Sequence, residues 1–277
     1  MDIKEAAPRD RTGFGRSEMD SEKLAGTVKL HQTHLFLCCA ERATAWATKS
    51  EEVAGSAHAE LSAAVQARKD VLGAAKVTLY ESCESATDAP GDVLCFPSNG
   101  AAFRIRAATN AGADAPAWAA EVAAAVSSPP AERGPEAETA FVFVCAHAKR
   151  DKRCGHTGPL LLAQLRTELA SLPQRVAVHA VSHVGGHAYA GNVLVFAPRD
   201  GKEDARDWYG YVRPDDVPLL VRRIREGVND AVLWRRWRGA QGMEAEECVA
   251  CAACHLTEAE GSGKAGGAVP SSSCALS

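Results

Sequence analysis

The same order of apolar and helix-like segments occurs twice along the chain. The apolar segments HLFLC (34–38) and VFVC (142–145) both end on a cysteine, and a turn followed by a strand recurs as GDVLCFP (91–97) and GNVLVFAP (191–198). A segment with helical periodicity lies between the first two strands of each copy, and another follows the last strand pair. Each copy therefore predicts the order β–α–β–β–β–α. The chain is expected to have an α/β fold of two tandem thioredoxin-like lobes, each a mixed sheet flanked by helices.

Changes in composition divide the chain around these two lobes. A segment rich in Pro, Ser and charge joins them, and the C-terminal segment is rich in Gly, Ser and Ala, which predicts disorder. The predicted divisions are a flexible leader over 1–29, a degenerate thioredoxin-like lobe over 30–126, a linker over 127–138, a second thioredoxin-like lobe with the candidate metal site over 139–239, and a disordered tail containing cysteines over 240–277.

Composition and charge narrow the expected class of protein. Of the 277 residues 46% are apolar and 24% charged, as in soluble globular proteins, and the net charge of −4 gives no reason to expect nucleic acid or an anionic membrane as a partner. No apolar run is long enough to cross a bilayer, and the first 25 residues are acidic and lack an apolar core. The expected location is the cytoplasm, with the nucleus as an alternative.

The second copy carries four candidate metal ligands where the first copy keeps two. Aligned by their strands, the copies pair Cys145 with Cys38, Cys154 with Ala47, His183 with Cys83, and His187 with Thr87. The chain has ten cysteines, and in a reducing compartment such thiols serve metal binding or redox chemistry more often than structural disulfides. We therefore expect the site in the second copy.

The four candidates are expected at one edge of the second sheet. Cys145 ends a strand, and Cys154 stands just before a helix that Gly158-Pro159 is expected to open. The basic run KRDKR between the cysteines and the helix N–H groups would lower the thiol pKa values, and a thiolate is the form that binds metal. His183 and His187 flank a Gly-Gly turn that can direct both imidazoles inward.

The spacing leaves two inorganic groups open. Two Cys and two His suit structural zinc, although zinc sites usually take their cysteines from a tight knuckle. Eight residues separate Cys145 from Cys154, and a diiron cluster needs ligands spread around a wider core. Spacing alone does not choose between zinc and [2Fe–2S].

Three segments resemble one protein family. HAKRDKRCG (147–155), SHVGGHAYAGN (182–192) and DWYGYVRPDDVP (207–218) are similar to motifs of the sucrase/ferredoxin-like family, also called thioredoxin-like ferredoxins, and most closely to its plant-type members. The resemblance extends over about residues 14–240. It implies that a [2Fe–2S] cluster is held by two Cys and two His, which at matching positions are Cys145, Cys154, His183 and His187.

The expected function follows from that resemblance. We expect one-electron transfer or redox sensing through the cluster, with an unknown, acidic redox protein as partner, and a zinc-stabilised binding module without redox turnover as the alternative. A thioredoxin-like oxidoreductase is disfavoured because neither lobe has Cys-x-x-Cys at a strand–helix junction. Sucrase activity is rejected because no paired carboxylates are placed for glycoside hydrolysis.

Three further features stand outside this set. His147 is expected to be a neighbour of the ligands or a surface residue, and the run KRDKR to be solvated or to steer a partner. The tail carries a C-x₂-C-x₂-C-H run, which reads as a metal half-site or a redox-sensitive arm; its members are Cys248, Cys251, Cys254 and His255.

Overall fold

A computed structural model describes residues 14–16, 19, 21–81, 88–132, 134–199 and 204–261. The strands in these ranges are β1 (Thr33–Cys39), β2 (Ala75–Glu81), β3 (Val93–Pro97), β4 (Phe103–Ile105), β5 (Ala140–Cys145), β6 (Val176–Val181), β7 (Val193–Ala197), β8 (Ala205–Tyr209) and β9 (Trp237–Ala240). The helices are α1 (Ala57–Gln66), α2 (Lys69–Leu72), α3 (Ala115–Val126), α4 (Lys152–Leu169), α5 (Val217–Glu226), α6 (Ala231–Arg236) and α7 (Ala245–Gly261). None of the helices in these ranges is long and apolar enough to cross a membrane.

The strands form one mixed sheet in which both copies of the repeat take part. The order is β4-β3-β1-β2-β6-β5-β7-β8-β9. In the first copy β1 pairs parallel with β2 and antiparallel with β3, and in the second copy β5 pairs parallel with β6 and antiparallel with β7. The copies meet where β2 and β6 run antiparallel, at the pair Tyr80 and Val181. The predicted α/β fold is thus confirmed.

The alignment of Cys38 with Cys145 is reproduced in the backbone. The N–H of Cys38 donates to the carbonyl of Asp92 at 2.8 Å, and the N–H of Cys145 donates to the carbonyl of Asn192 at 3.0 Å. Both cysteines therefore lie in the last turn-facing part of the first strand of their copy, each beside the equivalent turn. Cys83 and Thr87, which the alignment pairs with His183 and His187, lie outside the described residues.

The sheet curves so that the two copies face each other across an aromatic core. Strands β1 and β5 are separated in the sheet by β2 and β6, yet the rings of Phe36 and Phe143 stack with centroids 3.8 Å apart. Phe96 on β3 and Phe196 on β7 likewise meet at 4.7 Å. Because side chains alternate along a strand, Cys145 shares this inner face with Phe143.

Helices cover the outer face of the sheet. Leu35 and Val142, on the strand faces opposite to the aromatic core, belong to one apolar cluster with Leu61 of α1, Trp118 of α3 and Leu161 of α4. Burying such apolar stripes against the sheet is the main source of stability in a layered α/β fold. The inner face is thereby left to a second cluster, which contains the aromatic rings together with Cys38, Cys145 and Cys154.

The structure differs from the sequence expectation at both ends of the repeat. Within the leader, Phe14 and Leu24 are buried in the outer core. Within the tail predicted to be disordered from residue 240, residues 245–261 form α7, because Cys248 packs against β9 where Gly239 has no side chain. The domain boundaries as a whole stay a prediction.

Candidate functional site

Helix α4 begins earlier than the sequence predicts. The side chain of Asp151 accepts a hydrogen bond from the N–H of Arg153 at 2.8 Å, so the helix begins at Lys152 and not at Gly158-Pro159. An Asp at this position satisfies a free N–H group of the first turn, which makes it a stronger start signal than a later Pro. Cys154 is therefore a residue of the first helical turn and does not precede the helix.

Two glycines let α4 approach the end of β5. A Cβ atom at Gly158 would lie 2.7 Å from the carbonyl oxygen of Cys145 and 2.8 Å from the Cα of Ala146. A Cβ atom at Gly155, one turn earlier, would overlap Ala148. Only glycine fits at such approaches without displacing the backbone. This close packing holds Cys154 against Cys145.

The two cysteine side chains are buried and interact directly. Cys145 is 1% exposed and Cys154 is 0% exposed. A hydrogen bond from Cys154, assisted by one from His183 and by the backbone at His147, holds the pKa of the Cys145 thiol well below its usual range, although burial opposes this. The same bond, with burial, holds the pKa of the Cys154 thiol well above its usual range. The contact between the two sulfurs thus favours the thiolate form at Cys145.

Two cationic side chains that the sequence did not single out lie near this sulfur. The Cys145 charge acts to raise the pKa of both Lys76 and Arg238, which burial lowers to about 8 and about 10. Arg238 is 2% exposed and donates to Asn192 Oδ1 at 2.7 Å and to the carbonyl of Gly185 at 3.2 Å. Both groups are protonated at neutral pH, and they favour an anion at Cys145.

The loop that carries the two histidines is held in a tight turn. Gly185 and Gly186 have φ values of 91° and 68°, which are left-handed conformations that glycine adopts without strain. The guanidinium of Arg238 occupies the space where Gly186 lacks a side chain. On the other side of the loop Arg16 donates to the carbonyls of Ala188 and Ala190, at 2.9 and 2.8 Å.

The structure separates the roles of the two histidines. His183 is half-buried and reaches the sulfur of Cys145. His187 is exposed, and its ring centroid lies 5.5 Å from that of His183 with the planes tilted by 46°. The four candidates thus lie in one region of the structure. Cys154 and His183 both contact the sulfur of Cys145, whereas His187 is related to the site only through the ring of His183.

His147 is buried and bridges the two copies of the repeat. Its Nε2 lies 3.0 Å from the carbonyl oxygen of Ala47, and its Nδ1 accepts from the N–H of His183 at 3.3 Å. This pattern assigns the proton to Nε2, which donates to Ala47. A surface location, one of its two expected roles, is excluded, and the ring instead fixes the backbone of His183.

The basic run KRDKR docks on the first copy. Lys149 donates to the carbonyl of Ala45 at 3.0 Å, and Arg150 donates to that of Thr48 at 3.2 Å. These bonds lie beside the one from His147, so three successive basic groups attach the loop after β5 to residues 45–48. The run is therefore tied down and not simply solvated.

Cys39 of the first copy differs from Cys145 in its ionisation. The indole N–H of Trp46 donates to the sulfur of Cys39 at 3.1 Å, and the Cys39 thiol donates to the carbonyl of Tyr80 at 3.3 Å. Burial raises the pKa of Cys39 to about 12. This thiol stays protonated, in contrast to Cys145.

The cysteines of the C-terminal run are spread along α7. Cys248 is buried, Cys251 is half-buried and Cys254 is exposed. The ring of His255 stacks on Trp234 with centroids 4.2 Å apart. The run thus serves mainly to pack the helix against α6 and β9.

The four predicted ligands do not form a preorganised metal cage. Among the described residues, no group of three or more His, Cys, Asp or Glu side chains is arranged to hold a metal ion. The sulfur of Cys145 is itself the point on which Cys154 and His183 converge, whereas metal ligands converge on a point between them. In this conformation the residues fit a hydrogen-bonded thiolate, and the inorganic group expected from the resemblance stays a prediction.

Sequence comparison identifies relatives over part of the chain. Proteins named "Altered inheritance of mitochondria protein 32" are 47% identical over 82 residues in Clavispora lusitaniae, 39% over 93 residues in Candida glabrata and 36% over 89 residues in Saccharomyces cerevisiae. These matches cover 30%, 32% and 31% of this chain and 29%, 29% and 28% of the relatives. No solved structure matches the chain significantly.

These findings contradict the function expected from the sequence. A [2Fe–2S] redox protein for electron transfer or sensing, with a zinc-stabilised module as the alternative, requires a metal-binding group that the described residues do not form. The relatives are named for the inheritance of mitochondria and not for a ferredoxin activity. Iron–sulfur electron transfer is therefore withdrawn as the function.

The family itself is confirmed. The model of the sucrase/ferredoxin-like family matches residues 24–239, which include both copies of the repeat and the site. The plant-type assignment stays a prediction. The chain belongs to the sucrase/ferredoxin-like family.

Proposed function

We propose that the chain is a dithiol protein, in which Cys145 and Cys154 exchange with a small disulfide. The observation that carries the proposal is the hydrogen bond between the two buried sulfurs, which favours a thiolate at Cys145 and a thiol at Cys154. A thiolate is the attacking form in disulfide exchange, and a neighbouring thiol is what completes it. The missing Cys-x-x-Cys is no obstacle, because the start of α4 brings the two cysteines together.

The exchange balances with a disulfide as the oxidant. The Cys145 thiolate attacks one sulfur of the small disulfide, whose S–S bond breaks and releases one thiolate. The Cys154 thiol then loses its proton to that thiolate and attacks Cys145 in the mixed disulfide. The products are the Cys145–Cys154 disulfide, one small thiol and one small thiolate, and the small disulfide has taken up both electrons.

Burial restricts the substrate class. Both sulfurs are shielded from solvent, and His183 is the half-buried group beside them. A folded protein cannot reach them while Arg16 and Arg238 hold the 183–190 loop. We therefore expect a low-molecular-weight disulfide, with opening of this loop limiting the rate.

The relatives suggest where this chemistry is used. The name of the yeast proteins refers to the inheritance of mitochondria, and the chain spans about three tenths of their length. We propose that the chain serves a related process. The cytoplasmic location expected from the sequence stays a prediction, which fractionation of cells into cytosol and mitochondria tests.

Redox equilibration followed by peptide mapping tests the proposal. The full chain is equilibrated in mixtures of reduced and oxidised glutathione, alkylated and digested with trypsin. We expect one linked pair of peptides, containing Cys145 and Cys154, whose amount follows the glutathione ratio. The linked pair disappears in Cys154→Ser and persists in Cys254→Ser, a control at an exposed thiol. Absence of the linked pair at every ratio would refute the dithiol function.

A further inference from the structure

A cleft lies at the opposite end of β5 from Cys145. It has a volume of about 470 Å³ and is lined by the start of β5, the end of β7 and the C-terminal turn of α5. Ala140 begins β5 at this cleft, whereas Cys145 ends the strand at the thiol pair. The cleft is therefore separate from the site described above, and its volume is that of a pocket for a small ligand.

Arginine side chains dominate the polar lining of this cleft. They are Arg175, Arg199, Arg223 and Arg225. The carboxylates that face them are Glu138 and Glu226 in the lining, together with the buried Asp207 behind it. Counted over the described residues alone, four guanidinium groups stand against three carboxylates, which leaves one positive charge in excess.

The arginines also have hydrogen-bonding capacity left over. Arg223 is 2% exposed and donates through one terminal nitrogen to Asp207 at 2.5 Å, while its Nε has no acceptor among the described residues. The Nε of Arg199 is also buried, and no described residue accepts a hydrogen bond from it. A terminal nitrogen of Arg199 is 3.9 Å from Asp207. A buried donor without an acceptor is costly, and a guanidinium pairs best with the two oxygens of an oxyanion.

The rest of the lining limits the size and kind of the ligand. The apolar residues are Ala140, Ala197, Pro198 and Ile224, and no aromatic ring lines the cleft for a nucleobase to stack on. The carbonyl end of α5 adds negative potential, so the arginines alone make the cleft attractive to an anion.

We propose that this cleft binds a small molecule through a phosphate or carboxylate oxyanion, with Arg175 and Arg199 as its main contacts.

Isothermal titration of the full chain with pyrophosphate and with citrate tests this site. We expect saturable binding of at least one of them, and the stronger binder identifies the source of the oxyanion. Arg175→Ala and Arg199→Ala are each expected to weaken binding about tenfold, as the loss of one charge-assisted contact does. Arg223 is left unchanged, because its removal would take the nearest cationic partner from the buried Asp207.

Arg222→Ala is the matched control. Arg222 lies on α5, the helix that lines the cleft with its last turn, and it forms an ion pair with Glu226. It does not itself line the cleft. It should leave the affinity within about twofold, because an exposed charge in salt solution acts weakly at a distance. Saturable binding that Arg175→Ala and Arg199→Ala weaken selectively supports the site. Binding of neither anion, or equal losses in all three variants, overturns it. Neither result affects the test of the dithiol.

Discussion

The thiol of Cys154, in the first turn of α4, is hydrogen-bonded to the sulfur of Cys145 at the end of β5. The contact joins a helix start to a strand end, and Gly158 makes it possible by removing the side chain that would strike the Cys145 carbonyl. The acidity of one thiol is therefore set by the packing of a helix on a strand.

Removing the second thiol should make the first less acidic. In Cys154→Ala the Cys145 sulfur loses the hydrogen bond that contributes most to lowering its pKa, so we expect that pKa to rise. Loss of one hydrogen bond to a charged group corresponds to about one pKa unit or more. The pH dependence of alkylation at Cys145, followed by mass spectrometry, measures the change. Cys254→Ala serves as control, and an unchanged profile in Cys154→Ala would show that the bond does not set the acidity.

The cofactor expected from the family resemblance is a separate prediction. If Cys145, Cys154, His183 and His187 rearrange to hold an inorganic group, anaerobically purified protein should contain about two irons and two sulfides per chain, or about one zinc. The content should be lost in Cys154→Ala. That result would replace the dithiol by a metal site. Protein without iron, sulfide and zinc after reconstitution would remove the cofactor expectation and leave the dithiol.

His147 should contribute to stability through its two hydrogen bonds. His147→Ala leaves the carbonyl of Ala47 and the N–H of His183 without their partner, so we expect a loss of about 2 kcal/mol in the free energy of unfolding. Urea denaturation measures this loss. Hydrogen exchange at the His183 amide should accelerate in the same variant. His156→Ala, at an exposed residue of α4, is the matched control, and an equal loss in both variants would contradict the bridging role.

The repeat could be predicted from the sequence because its signals are local. Alternation of apolar residues and a cysteine at each strand end are read within a few positions, and they placed Cys38 and Cys145 at equivalent ends of β1 and β5. The sequence prediction began α4 at Gly158-Pro159 and missed the cap at Asp151, although that signal is local too.

The charged surroundings of the thiol pair could not be predicted in the same way. Lys76 comes from β2 of the first copy, and Arg238 comes from β9 at the end of the second copy. Their proximity to Cys145 depends on how the sheet curves, which is a long-range property. The stacking of Phe36 on Phe143 is the clearest sign of that curvature, and no spacing in the sequence encodes it.

Buried histidines should make the fold sensitive to mild acid. Burial lowers the pKa of both His31 and His179 from 6.5 to about 4. Between these pH values the unfolded chain binds more protons than the folded chain, so stability rises with pH. The contribution of each histidine is fully present above pH 6.5 and is lost as the pH falls towards 4. At pH 5 the loss is about 2 kcal/mol for each of them.

Urea denaturation at pH 7 and pH 5 measures this loss, and His31→Gln assigns part of it. The variant cannot titrate, so its stability should fall by about 2 kcal/mol less between the two pH values than that of the natural chain. His156→Gln, at an exposed position, should keep the full pH dependence. If His31→Gln and His156→Gln respond equally to pH, His31 does not stay neutral in the folded protein. The acid sensitivity would then have to come from His179 and the other buried groups.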